Sequence, residues 1–153
     1  MLSIQTIKDI DDSVVTDFIN KLPAGDTDIH LSLKENGHGI RICVCGGYIV
    51  KATSRGRSTN GRDLTMQLQR MLGMGIPGLS SFEFVELRGE VLLPFKNLDK
   101  AKLYNPSIKS AFSGVSSMLR DSASEEETKL LEFVAYDILC DDITFNSLSE
   151  KYA

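Results

Sequence analysis

The sequence predicts an α+β domain in which antiparallel strands pack against helices. Three observations carry this. Ile40, Ile42 and Val44, then Tyr48, Ile49 and Val50, form two short apolar runs joined at Cys45-Gly46-Gly47, the pattern of a tight hairpin. Phe82 to Leu93 alternates, with Phe82, Phe84, Glu86, Arg88 and Glu90 on one side and Glu83, Val85, Leu87, Gly89 and Val91 on the other. Leu64, Leu68, Met71 and Leu72 lie at i, i+4, i+7 and i+8, one apolar stripe of a helix.

The remaining elements follow in chain order. Asp12 or Ser13 caps a short helix carrying Val14, Val15, Phe18 and Ile19, and Leu22-Pro23-Ala24-Gly25 ends it. His30, Ser32 and Lys34 alternate with Ile29, Leu31 and Leu33, which predicts a half-buried strand delivering Lys34 at its end. After the hairpin, the Leu64 helix closes at Gly73 and Gly75-Ile76-Pro77. Pro94 ends the long strand, and Phe95 to Tyr104 reads as a short helix. Ile108 to Leu119 is a helix weakened by Gly114. Asp121 to Thr128, with three consecutive glutamates, reads as a solvated loop, Leu130 to Leu139 as a buried strand, and Thr144 to Ala153 as a helix.

Composition narrows the function. A chain of 153 residues, 42% hydrophobic and 25% charged, supports one core of respectable size, so 1–153 reads as one domain. No run reaches the ~18 apolar residues of a membrane span, and no signal pattern opens the chain, so the expected location is cytoplasmic with no membrane partner. A net charge of −4 argues against a general nucleic-acid coat and requires any DNA contact to come from a local patch. Cys43, Cys45 and Cys140 make an odd count without a disulfide framework. Cys43 and Cys45 share a strand face near His30 and His38, but the spacing is not that of a zinc site, so no metal ligand is assigned.

The stretch from Lys34 to Thr65 carries the chemistry. A lysine enters a glycine turn at Asn36-Gly37, a hairpin follows, and an arginine-rich glycine loop, Arg55-Gly56-Arg57-Ser58-Thr59-Asn60-Gly61-Arg62, opens a helix. That order suits a nucleophilic amine brought near phosphates. The stretch resembles the nucleotidyltransferase core of NAD-dependent DNA ligases, whose signature is Lys-x-Asp-Gly, a hairpin, and Ala-Thr-Arg-Gly-Asp-Gly-x-x-Gly-Glu-Asp. Arg55-Gly56, Gly61 and Asp63-Leu64-Thr65 fall in register with it. Met1-Leu2-Ser3-Ile4 resembles the opening of that core, and Glu86-Leu87-Arg88-Gly89-Glu90-Val91 its Glu-Val-Arg-Gly-Glu-Val strand. Asn105-Pro106 with Met118-Leu119-Arg120 resembles its Asn-Pro-Arg and Ser-Leu-Arg segment, and Phe133-Val134-Ala135-Tyr136 its Phe-Phe-Ala-Tyr strand.

The resemblance implies a DNA ligase-type nucleotidyltransferase fold with AMP bound between antiparallel sheets. It makes Lys34 the amine that attacks the α-phosphate of NAD, with Gly37, Arg55, Glu90 and Tyr136 around the nucleotide. Glu90 takes the ribose and Tyr136 stacks on adenine; Arg57, Arg62 and Arg120 are nucleic-acid contacts. Mg²⁺ neutralises phosphate charge, and nicked double-stranded DNA receives the AMP. Attack needs a neutral amine, whereas a free lysine titrates near ~10.4, so cations and desolvation must surround the reacting group. Alternatives stand beside these roles: a strand ion pair for Arg88 and Glu90, and core packing for Tyr136.

Four positions depart from the pattern: Ser32 and Asn36 replace acids flanking the lysine, Arg57 an aspartate, and Ser107 an arginine. Nothing resembles the preceding nicotinamide-binding domain, the later lysine strand or the oligonucleotide-binding barrel. The expected function is therefore the adenylation core of an NAD-dependent ligase, a fragment or one part of a split enzyme. A protein partner then supplies the rest, and the chain does not seal DNA alone. The alternative is a catalytically silent module that binds nucleotide, DNA or a protein.

Overall fold

The computed structural model describes residues 12–22, 25, 33–55, 61–146 and 150, within two compact units, Met1–Lys34 and Glu35–Ala153. The first unit contains helix α1 (Asp12–Ile19), at the predicted place. The predicted strand before Lys34 lies largely outside the described residues; Leu33 to Asn36 have no regular structure. Leu33 is 90% exposed.

The second unit holds β1 (His38–Cys45), β2 (Tyr48–Ser54), α2 (Thr65–Leu72), β3 (Phe84–Leu92), α3 (Leu98–Tyr104), α4 (Ala111–Met118), α5 (Glu125–Thr128) and β4 (Glu132–Leu139). The strands form one antiparallel sheet in the order β2-β1-β3-β4. It is a mixed arrangement of a four-stranded sheet and several helices, and among the described residues there is one sheet, not the expected pair. Period-two alternation sets its sides. Ile40, Ile42, Val44, Val85 and Val91 are buried on one face, in a core shared with Leu68 of α2 and with Val115 and Met118 of α4. Gly39, Arg41, Cys43, Glu86, Arg88 and Glu90 alternate with them and form the outer face.

Local chemistry explains the element ends. Gly46 and Gly47 have φ of 53° and 85°, the positive values a two-residue hairpin needs. The expected helix from Phe95 is split into a 3₁₀ turn (Phe95–Asn97) and α3. The helix expected from Ile108 starts three residues later, where Ser110 caps it by accepting from the Ser113 N–H at 3.2 Å. The tail expected to be helical from Thr144 is irregular through Asn146, and of the rest only Glu150 is described.

Two expectations are corrected. Asp121 to Thr128 is not simply a loop. Ser124 and Glu127 form a reciprocal capping box, with Glu127 Oε2 accepting from the Ser124 N–H at 2.7 Å. The three glutamates occupy the first turn, where the helix dipole favours negative charge. The strand after Leu130 is not buried: β4 is an edge strand, and Val134 and Leu139 are 38% and 40% exposed.

His38 opens β1 on the core side, opposite Val91. Its Nε2 shares a hydrogen bond with Ser116 Oγ at 3.0 Å, and its ring lies 4.9 Å from that of Phe112 on α4. Burial lowers its pKa, so the folded state favours the neutral ring. A depressed folded-state value means stability that is complete above the unfolded value and lost as pH falls. The expected result is a loss of stability beginning below about pH 6.5, before the carboxylates titrate. His38→Gln should flatten that limb in urea melts taken across pH, and an unchanged limb would assign the acid sensitivity to other groups.

Candidate nucleotide site on the outer face of the sheet

The outer face carries a charge ladder across three strands. Arg88 Nε lies 2.8 Å from Glu86 Oε1, Arg41 Nη1 3.6 Å from Glu86 Oε2, and Arg88 Nη1 3.7 Å from Asp137 Oδ2. Arg41 stands directly opposite Arg88 in the β1–β3 register, a like-charge pair that Glu86 bridges. The Glu86 side chain is 13% exposed, so this ladder is less screened than a typical surface pair. Arg88 therefore pairs with Glu86 on its own strand and Asp137 on β4, where the sequence suggests a strand pair with Glu90.

At one end of the ladder three candidate residues converge. Gly39 pairs with Glu90 in the β1–β3 register, and the Arg55 N–H donates to the Gly39 carbonyl at 2.7 Å. A methyl group on Gly39 would stand 3.4 Å from Arg55 Cβ and 3.5 Å from Glu90 Oε1. Arg55 and Glu90 therefore both border the small floor that this glycine leaves. Glu90 Oε2 is buried. Tyr136 joins them through an irregularity in β4. Arg88 pairs with Asp137 and Gly89 with Ala135, so Tyr136 is the extra residue of a bulge, a device that re-aims a side chain.

The electrostatics bear out this proximity. The Tyr136 phenol is pushed upward, first by burial and then by the negative charge of Glu90, while Arg55 and Arg88 pull it down. A raised value means that the folded state holds the proton; its stability contribution is complete below the unfolded value and is lost as pH rises. A late phase belonging to Tyr136 is expected in an alkaline absorbance titration of the folded protein. Tyr136→Phe should remove the late phase. Persistence of that phase would place the protected phenol elsewhere.

The remaining candidates are Gly37, Lys34, Arg57, Arg62 and Arg120. Gly37 precedes β1, and any Cβ there would overlap the Val91 carbonyl oxygen, so close backbone approach alone requires glycine. Lys34 is exposed and closes the first unit. Arg57, Ser32 and His30 lie outside the described residues. Lys51 is exposed on β2, opposite Cys43.

Arg62 donates to Asp121 Oδ1 at 2.7 Å, and buried Gln67 donates to the same oxygen at 2.9 Å. The Arg62 hydrogen bond holds the Asp121 carboxyl below its usual range. Arg62 thus ties the start of α2 to the turn after α4. Arg120 caps its own helix end: its Nε donates to the Ser117 carbonyl at 2.9 Å and its Nη2 to Ser117 Oγ at 2.7 Å. It belongs to the helical layer, whereas Arg55, Glu90 and Tyr136 gather on the other face of the sheet.

Sequence reasoning missed Glu86 and Asp137 as partners of Arg88. The mid-strand run Glu86-x-Arg88-x-Glu90 was the available signal, but the pairing with Asp137 spans 49 positions and leaves no local trace. Among the described residues no group of three or more His, Cys, Asp or Glu is placed to hold a metal. None of their helices is long and apolar enough to cross a membrane.

No family model matches the chain. Among curated proteins it is similar to the DNA ligase of Finegoldia magna, 28% identical over 104 residues that cover 67% of this chain and 15% of that protein. The DNA ligase of Psychrobacter cryohalolentis is 30% identical over 102 residues, covering 61% and 14%. That of Porphyromonas gingivalis is 30% identical over 106 residues, covering 65% and 16%. The likeness supports a relationship to DNA ligases, and the chain spans about 15% of the length of the first of these relatives.

Proposed function

We propose that this chain is the adenylate-handling core of a DNA ligase-type nucleotidyltransferase, with NAD as donor and a nicked duplex as acceptor. One observation supports it above the rest. Arg55 and Glu90, far apart in sequence, meet at Gly39 on the outer face of the sheet, with Tyr136 beside them on β4. A cation, a carboxylate and an aromatic ring are the groups a nucleoside monophosphate needs. Arg55 offers charge-assisted hydrogen bonds to phosphate, Glu90 accepts from a ribose hydroxyl, and Tyr136 offers its ring to the base.

In this reading the Lys34 amine attacks the α-phosphate of NAD, a phosphoramide bond forms, and the bond to the nicotinamide mononucleotide half breaks. The amine gives up a proton. AMP then passes from Lys34 to the 5′-phosphate of the nick, and the 3′-hydroxyl displaces it to close the strand. Mg²⁺ supplies neutralisation of phosphate charge. The further segments needed for sealing come from a partner or from the rest of a longer enzyme.

Asn36 supports a second reading, because an amide replaces the acid that the family pattern sets beside the lysine. Such a chain binds the nucleotide and forms no bond to it. Intact-mass measurement after incubation with NAD, and separately with ATP, decides. An added AMP mass supports the adenylation core. Nucleotide binding without added mass supports the silent module, and absence of both rejects the site.

A further inference from the structure

We propose that the solvent face of α3, with Lys96 and Lys109 flanking it, is a contact surface for DNA at a strand interruption. It deepens the ligase reading above, from which it takes its choice of polyanion, and it lies in the helical layer.

Charge is concentrated there. Between Phe95 and Ser110 stand four lysines, Lys96, Lys100, Lys102 and Lys109, against the single acid Asp99, in a chain whose net charge is −4. Helical period sorts α3 into two sides. Ala101 is fully buried and Leu98 packs against the core, so Lys100 and Leu103 fall on the opposite side with Tyr104 at its edge. Lys96 pairs with Glu132 at 2.8 Å and Lys102 with Asp99 at 3.3 Å, exposed contacts that a polyanion displaces at little cost. Among the described residues no ion pair engages Lys100 or Lys109.

Three large apolar side chains accompany this charge in the open. Phe95 and Leu103 are 84% exposed and Tyr104 is 51% exposed. Tyr104 follows Lys100 by one helical turn. A cation holds a phosphate and an aromatic face takes an unstacked base, the combination that recognises interrupted or single-stranded nucleic acid. Beyond α3 lies an open hollow of about 250 Å³ bordered by Asn105, Ser107, Ile108, Ser113, Ser116 and Arg120. An anionic membrane is the competing polyanion. The seven residues of α3 make a poor interfacial helix.

The test is fluorescence anisotropy with nicked, gapped and intact duplexes across a salt series. The variants are Lys100→Gln/Lys102→Gln/Lys109→Gln, its Lys→Arg counterpart, Tyr104→Ala, and Lys129→Gln as a charge control outside the segment. The Gln triple should bind nicked and gapped DNA at least tenfold more weakly. Its slope of log affinity against log salt should fall by about 2–3. The Arg triple should keep both, and Lys129→Gln should change little. Tyr104→Ala should lose affinity for gapped DNA more than for intact duplex.

Unchanged affinity and slope in the Gln triple would overturn the proposal, as would an equal loss per charge at Lys129. No DNA binding by the parent chain at low salt would overturn it, and so would lysine-dependent binding to phosphatidylglycerol vesicles without DNA binding. Adduct mass read on the same samples separates the two readings. Lysine-dependent DNA binding without any AMP adduct rejects the adenylation reading alone, while an adduct with lysine-independent DNA binding rejects this surface alone.

Discussion

Lys34→Ala should abolish the AMP adduct completely, whereas Lys51→Ala should leave it detectable. The asymmetry follows from chemistry. A nucleophile supplies the atom that bonds to phosphorus, and no neighbour replaces it at the required geometry. Lys51 acts in the ligase reading through charge alone, so its removal weakens the reaction without eliminating it. Substitutions in the Gly39 cluster should fall between these limits. If Tyr136 stacks on the base as the ligase reading has it, Tyr136→Ala removes about 1–3 kcal/mol, a loss of roughly 5- to 150-fold in nucleotide affinity. Asn36→Asp, which returns the acid of the family pattern, should raise adduct yield. Labelling that survives Lys34→Ala would defeat the assignment, and an adduct lost equally in Lys51→Ala would move the nucleophile into question.

The ease of reading this chain varied with the range of the physics. Ile40, Ile42 and Val44 announced β1 because alternation is a property of adjacent residues, and Gly46-Gly47 announced the hairpin through backbone freedom. The long strand and the stripe of α2 were legible for the same reason. Helix α5 was hidden by its own charge: three glutamates read as a solvated run, although Ser124 and Glu127 already spelled a capping box. Burial of β4 was misjudged because a run of apolar residues does not say whether its strand is central or at an edge.

Function depended on contacts that no local pattern contains. Arg62 bonds Asp121, 59 positions away, and Arg120 gives two of its donors to Ser117, pairings that no local pattern announces. By contrast Arg55, Glu90 and Tyr136 were named through family resemblance, and their meeting on the outer face is a property of register that spacing could not supply. The bulge that frees Tyr136 from the ladder is likewise invisible in Phe133-Val134-Ala135-Tyr136.

That bulge makes Gly89→Ala the most damaging conservative change expected in the sheet. Gly89 sits on the core side of β3, where β4 crosses closest. An added Cβ would overlap both the Val134 carbonyl oxygen and the Phe133 ring, and the first of these is backbone that cannot swing aside. Relief requires β4 to move away from β3 between Val134 and Tyr136, which strains the ladder and displaces Phe133 from the core. Overpacking of this kind costs about 3 kcal/mol, near 6–12 °C in Tm for a chain of this length. The same displacement alters the bulge that aims Tyr136, so nucleotide affinity should fall in protein that is still folded. Gly39→Ala is the informative contrast. Its methyl would meet Arg55 and Glu90 at ordinary van der Waals distances, so the fold should persist while the floor of the site is filled. The pair is read by thermal melts and by titration with AMP well below each Tm. A Gly89→Ala protein with parental Tm would mean that β4 is not held as the register requires. A Gly39→Ala protein with parental AMP affinity would mean that the nucleotide does not rest on this face.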